Sequence, residues 1–187
     1  MKRAFRPLWL LTPFLGALTA TSVLSKEHLY LSSGGQVSVY AIDGQTGELS
    51  QQQSLDLNTT AGPQAVSPDH RFLYVASMVK SGAGKKPSPG IATLGVKQNG
   101  DLHLIHKAPI ADGPSYLAVD ATGRYLAGSH YGAGKATTWA LDRRGIYRGE
   151  VVTSLELEKG AHSAVFAPDN RHLFVPATSP NCIFQFT

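Results

Sequence analysis

The sequence predicts an all-β fold: a partial β-propeller of about three to four antiparallel blades, not closed. Three observations predict it. A hairpin pattern recurs about every fifty residues, two further strands with their own turn follow the first two hairpins, and the composition is that of short strands and turns. The chain has 187 residues with 19 glycines and 11 prolines, and no long Ala/Glu/Lys/Leu-rich helical stretch. Its 42% hydrophobic and 16% charged content suits a single globular domain and argues against disorder. Cys182 is the sole cysteine, which excludes an internal disulfide framework and any multi-cysteine metal site.

The hairpins define the repeat. Ala65-Val66-Ser67-Pro68-Asp69-His70-Arg71-Phe72-Leu73-Tyr74-Val75-Ala76 aligns with Ala118-Val119-Asp120-Ala121-Thr122-Gly123-Arg124-Tyr125-Leu126-Ala127-Gly128. Both align with Val165-Phe166-Ala167-Pro168-Asp169-Asn170-Arg171-His172-Leu173-Phe174-Val175-Pro176, and the three arginines lie 53 and 47 residues apart. In each, Pro, Asp, Asn or Gly supplies the turn, and β-branched and aromatic residues flank it.

Outer strands follow in order. Val37–Ile42 turns through Asp43-Gly44-Gln45-Thr46-Gly47 into Glu48–Leu57. Ile91–Val96 turns through Lys97-Gln98-Asn99-Gly100 into Asp101–His106, and Thr137–Leu141 through Asp142-Arg143-Arg144-Gly145 into Ile146–Leu155. The first unit, from about Glu27, lacks an innermost strand, and the last reaches Thr187 on its third, about fourteen strands in all. Two faces are then open, so the expectation is a fragment of a longer propeller or self-association through open blade edges.

The amino terminus reads separately. Lys2, Arg3 and Arg6 precede an apolar run from Leu8 to Leu18 and small residues at Ala20-Thr21-Ser22, the order of a secretory signal. Residues 1–25 are expected to be a signal peptide, cleaved after Ser22, Ala20 or Ser25, and residues 26–187 the incomplete propeller; a retained anchor is the alternative. The run is too short for a stable membrane span, which implies a periplasmic or secreted protein. Without that segment the formal charge falls from +4 to +1, and no basic cluster with interleaved aromatics remains to suggest nucleic acid.

The stretch from Gly160-Ala161-His162-Ser163-Ala164 to Pro176-Ala177 resembles the seven-bladed-propeller lactonases. That family includes the propeller-type bacterial 6-phosphogluconolactonase and the fungal carboxymuconate cyclase. Gly128-Ser129-His130-Tyr131-Gly132-Ala133-Gly134 resembles the family's Tyr-Gly-rich stretch one blade earlier. The likeness runs from Lys26 to Thr187 and corresponds to about the first half of a full-length member. It implies a lactone hydrolase of carbohydrate metabolism, acting on a lactone or sugar phosphate without metal or other cofactor. It also implies a site in the central channel with a catalytic histidine at His162. The family's other site residues, an arginine and a glutamate, belong to later blades. The pentose phosphate pathway, where the sugar-phosphate members act, is cytoplasmic, so an exported chain suggests an external lactone instead. The alternative is a non-enzymatic β-propeller binding module.

Opening a lactone needs a base for water, a donor for the oxyanion and a cation for an anionic substrate. His162, just before an innermost strand, is the candidate base. Tyr131, His130, Ser163 and Lys135 are candidate substrate contacts, Tyr131 and His130 because they stand after a strand beside Gly132 and Gly134, where backbone can approach a ligand. Ser163 could instead bond backbone, and Lys135 could be a solvated loop lysine. Arg71, Arg124 and Arg171 recur with the hairpin and read as structural. His103 and His106 have metal-like spacing, but on a regular strand residues three apart face opposite sides. Gly82–Lys86 and Gly132–Ala136 miss the Walker pattern, and no Gly-x-Ser-x-Gly elbow occurs.

Overall fold

A computed structural model describes residues 27–79 and 86–187. The expected signal segment and Gly82–Lys85 lie outside them. Among the described residues, fourteen strands form four antiparallel sheets, here called blades 1 to 4. Blade 1 is β1 (Glu27–Ser33), β2 (Gln36–Ile42) and β3 (Leu49–Asp56). Blade 2 is β4 (Ala61–Val66), β5 (Phe72–Val79), β6 (Ser88–Val96) and β7 (Leu102–Pro109). Blade 3 is β8 (Tyr116–Val119), β9 (Tyr125–His130), β10 (Lys135–Leu141) and β11 (Tyr147–Glu156). Blade 4 is β12 (Val165–Phe166), β13 (Leu173–Ala177) and β14 (Cys182–Phe186). Within each blade the order in space is the order in sequence. The inner strands β4, β8 and β12 adjoin in turn, and so do the outer strands β3, β7 and β11. That is the incomplete propeller the repeat predicts.

The hairpin turns confirm the alignment at the level of the backbone. Ser67, Asp120 and Ala167 each accept the amide of the residue three positions on, and that residue (His70, Gly123 or Asn170) has φ of 57°, 67° or 58°. Glycine and asparagine tolerate this left-handed conformation better than histidine. Gly47, Gly100 and Gly145 close the outer turns at φ of 73°, 85° and 81°.

Strand alternation distributes the core among three seams. On β5, Leu73 and Val75 pack toward blade 1 with Val37, Val39 and Leu94. Phe72 and Tyr74 pack toward blade 3 with Ile91, Leu126, Trp139 and Tyr147. A strand buried on both faces carries apolar side chains at every position, as Phe72 to Ala76 does. Between blades 3 and 4 the core is small, built of Ala127, Ala136, Ala161, Ala164, Leu173 and Val175. Two tyrosines lock the turn end of the seams: the Tyr30 hydroxyl donates to the Gly100 carbonyl at 3.1 Å and that of Tyr74 to Gly145 at 2.7 Å. No described helix is long and apolar enough to cross a membrane.

The His103–His106 geometry differs from the sequence expectation. A bulge between Thr93 and Leu94 shifts the register, so that His103 stands opposite Gly95 and His106 opposite Thr93. Gly95 and Thr93 share a face, and so do the two histidines. No group of three or more His, Cys, Asp or Glu side chains suited to a metal occurs among the described residues.

Candidate functional site

The seam between blades 3 and 4, at the end where the inner strands begin, brings together two of the predicted residues. Tyr131 directly follows β9, and His162 precedes β12 by three residues. Their rings meet edge to face, with centroids 5.6 Å apart and planes at 89°. Both side chains are exposed, and the His162 imidazole has no hydrogen-bond partner among the described residues. The ring is therefore oriented by an aromatic neighbour and open to a substrate or water.

Backbone bonds across the seam place this pair. The His162 amide donates to the Pro176 carbonyl at 2.9 Å, and the Gly160 amide donates to the Tyr131 carbonyl at 2.9 Å. Gly160 has φ of +98°, and a Cβ there would stand 2.7 Å from the Ser179 nitrogen, so only glycine permits the crossing. Two hydroxyls that sequence reasoning missed hold Tyr131. The Ser115 Oγ accepts the Tyr131 amide at 2.9 Å, and the Thr178 Oγ1 donates to the Tyr131 phenol oxygen at 3.4 Å. Ser115 occupies in blade 3 the place that His162 holds in blade 4, since their amides bond Ser129 and Pro176 alike. That correspondence is the signal that could have found it. Ser163, half-buried, follows His162 at the start of the inner strand.

His130 and Lys135 are placed elsewhere. His130 is the last residue of β9 rather than a loop residue; it is 2% exposed and lies edge-on to Trp139 at 5.9 Å. Its Nε2 shares a hydrogen bond with the Thr137 hydroxyl at 3.2 Å, and Thr137 in turn meets Ser154. Nδ1 is buried without a partner, and burial pushes the imidazole below its ordinary pKa. A side chain so enclosed presents almost no surface to solvent. The Lys135 ammonium lies 3.3 Å from Asp112 and 3.4 Å from Glu156, and its pKa is raised, chiefly by hydrogen bonding to Asp112. It ties β10 to the β7–β8 connection. Gly134 turns that hairpin at φ of +66°, packed against the backbone of Leu157 to Lys159, so the Gly-Lys stretch is a turn and no phosphate cradle.

Arg71 and Arg124 share one arrangement, each laying its guanidinium over the next residue's ring, Phe72 at 5.1 Å and Tyr125 at 5.6 Å. Arg71, Arg124 and Arg171 all stand at the other end of the inner strands, since His162 precedes β12 and the Arg171 turn follows it.

Residues 16–187 match the family model for the lactonase, 7-bladed beta-propeller. The chain belongs to that family. It is 34% identical over 165 residues to the 6-phosphogluconolactonase of Cronobacter sakazakii, covering 87% of this chain and 46% of that one. The corresponding Enterobacter enzyme is 31% identical over 166 residues, with coverages of 87% and 46%. This member of the lactonase family thus spans about half the length of the curated relatives it matches. Among solved structures it resembles the periplasmic gluconolactonase of Pseudomonas aeruginosa, with a TM-score of 0.66 and 21% identity over 84% of this chain and 49% of that one. It resembles Kuenenia stuttgartiensis hydrazine synthase at 0.64 and 16% identity, over 84% and 54%. These two likenesses speak to the fold alone, because one fold hosts many chemistries.

Proposed function

We propose that this chain carries the histidine-bearing half of a lactone hydrolase of the 6-phosphogluconolactonase kind. The observation that supports it is the exposed His162 imidazole set edge-on against Tyr131 at a blade seam, in a chain of the lactonase family. His162 takes a proton from water as the water oxygen attacks the lactone carbonyl. It returns that proton to the ring oxygen as the C–O bond breaks, leaving the hydroxy acid. The exposed Tyr131 phenol, 3.4 Å from the Thr178 hydroxyl, can donate its own proton to the substrate. Ser163, beside the base, completes the contacts made by this half. The family's arginine and glutamate of later blades would complete the site.

The amino-terminal pattern of charge, apolar run and small residues supports export of the chain to the periplasm or beyond. The sugar-phosphate members act in the cytoplasm, so export favours an external, unphosphorylated lactone as the substrate.

The test is hydrolysis of δ-gluconolactone and of its 6-phosphate. His162→Ala is expected to lower turnover at least about a hundredfold, with the circular dichroism spectrum unchanged. Undiminished turnover would remove His162 from the mechanism. Sugar or protein binding with no hydrolysis of any lactone would instead favour the binding module.

A further inference from the structure

At the turn end of the strands, remote from His162, the seam between blades 2 and 3 opens into a groove of about 570 Å³. Arg71, Arg124, Arg143 and Arg144 line it with Asp69 and Asp142. The two carboxylates are already engaged. Asp69 accepts the Ser67 hydroxyl at 2.6 Å and the Arg71 amide at 3.1 Å. Asp142 accepts the amides of Arg144 and Ile146 at 2.8 and 2.9 Å, and Arg148 Nε at 3.1 Å. Arg71 Nε lies 3.7 Å from Asp69, but the other three guanidinium groups are far less occupied. Arg124 rests on the Tyr125 ring and donates only Nε, to Thr122 at 3.1 Å, while Arg143 and Arg144 are exposed with no side-chain partner among the described residues.

Architecture accounts for Arg71 and Arg124, which recur with the hairpin. It does not account for Arg143 and Arg144, because the same turn of blade 2 holds Gln98 and Asn99. The groove is also rigid. Its floor is Phe72 and Tyr74, the Tyr74 hydroxyl bonds the Gly145 carbonyl, and a Cβ on Gly145 would stand 2.8 Å from the Phe72 ring. Guanidinium groups carried on two blades beside a packed aromatic floor suit a tetrahedral dianion, whose several oxygens can take N–H pairs from more than one side. The volume is that of a small-molecule site.

We propose that this groove binds a phosphorylated small molecule through Arg124, Arg143 and Arg144, separately from the chemistry at His162. The probe is inorganic pyrophosphate, titrated into the chain and followed by calorimetry and by amide NMR shifts. The expected result is saturable binding with shifts at Gly123 and Gly145. Arg143→Ala/Arg144→Ala should weaken it at least about tenfold, whereas the charge-matched Lys97→Ala/Lys159→Ala should leave it within about twofold. An equal loss in both variants, no loss in the arginine variant, or shifts confined to Gly160 and His162 would overturn the proposal. His162→Ala should not alter pyrophosphate affinity, so failure here and failure of the hydrolase reading are distinguishable.

Discussion

His162 and His130 show how one residue type occupies opposite environments through position alone. His162 lies on a connection between blades, exposed beside Tyr131, while His130 ends a strand whose side chain turns into the seam under Trp139. Nothing local to Ser129-His130-Tyr131 separates the buried histidine from the exposed tyrosine except strand alternation, which depends on where β9 stops. The buried imidazole has a consequence. Its pKa is lower folded than unfolded, so the unfolded chain binds the extra proton first, and its contribution to stability is present above the ordinary histidine range and lost as pH falls. The melting temperature is therefore expected to drop from about pH 7.5 to about pH 5.5, and the drop to be smaller in His130→Gln. Equal pH dependence in the two proteins would show that His130 is not the responsible group.

The hairpin turn is the element that made the repeat legible, because its needs are local: a residue that tolerates positive φ, and a polar side chain to take up turn amides. What it could not reveal is which turns also join blades. Asn170 sits in the left-handed position at φ of 58°, and its side chain reaches the neighbouring blade, accepting the Ala121 amide at 2.8 Å and donating to Asp120 at 3.1 Å. His70, with the same backbone, has no comparable side-chain bridge among the described residues. Asn170→Gly is thus expected to destabilise by about 1 kcal/mol, although glycine fits the backbone well, whereas His70→Gly should stay within about 0.5 kcal/mol. Chemical denaturation of the two variants checks the contrast. The bulge in β7 is a second tertiary matter: it puts His103 and His106 on one face, where simple alternation had separated them.

Across the whole molecule, stability should be graded by how many faces each strand has covered. Strand β5 is enclosed by blades on both sides, while β3 and β14 expose most of their residues. Hydrogen exchange is expected to be slowest for the amides of β5, β6 and β9 and fastest for β3 and β14. Uniform protection across all four blades would contradict that ordering. The described strands and their turns were largely readable from residue order, since alternation, turn chemistry and repeat spacing act over a few residues. The meeting of Tyr131 with His162, the Ser115 and Thr178 hydroxyls around them, the capture of Lys135 by Asp112 and Glu156, and the arginine groove were not. Each joins segments tens of residues apart, or the faces of two blades. Strand pairing within blade 3 and packing between blades decide which side chains meet there, because the same alternating pattern would serve either face of any blade.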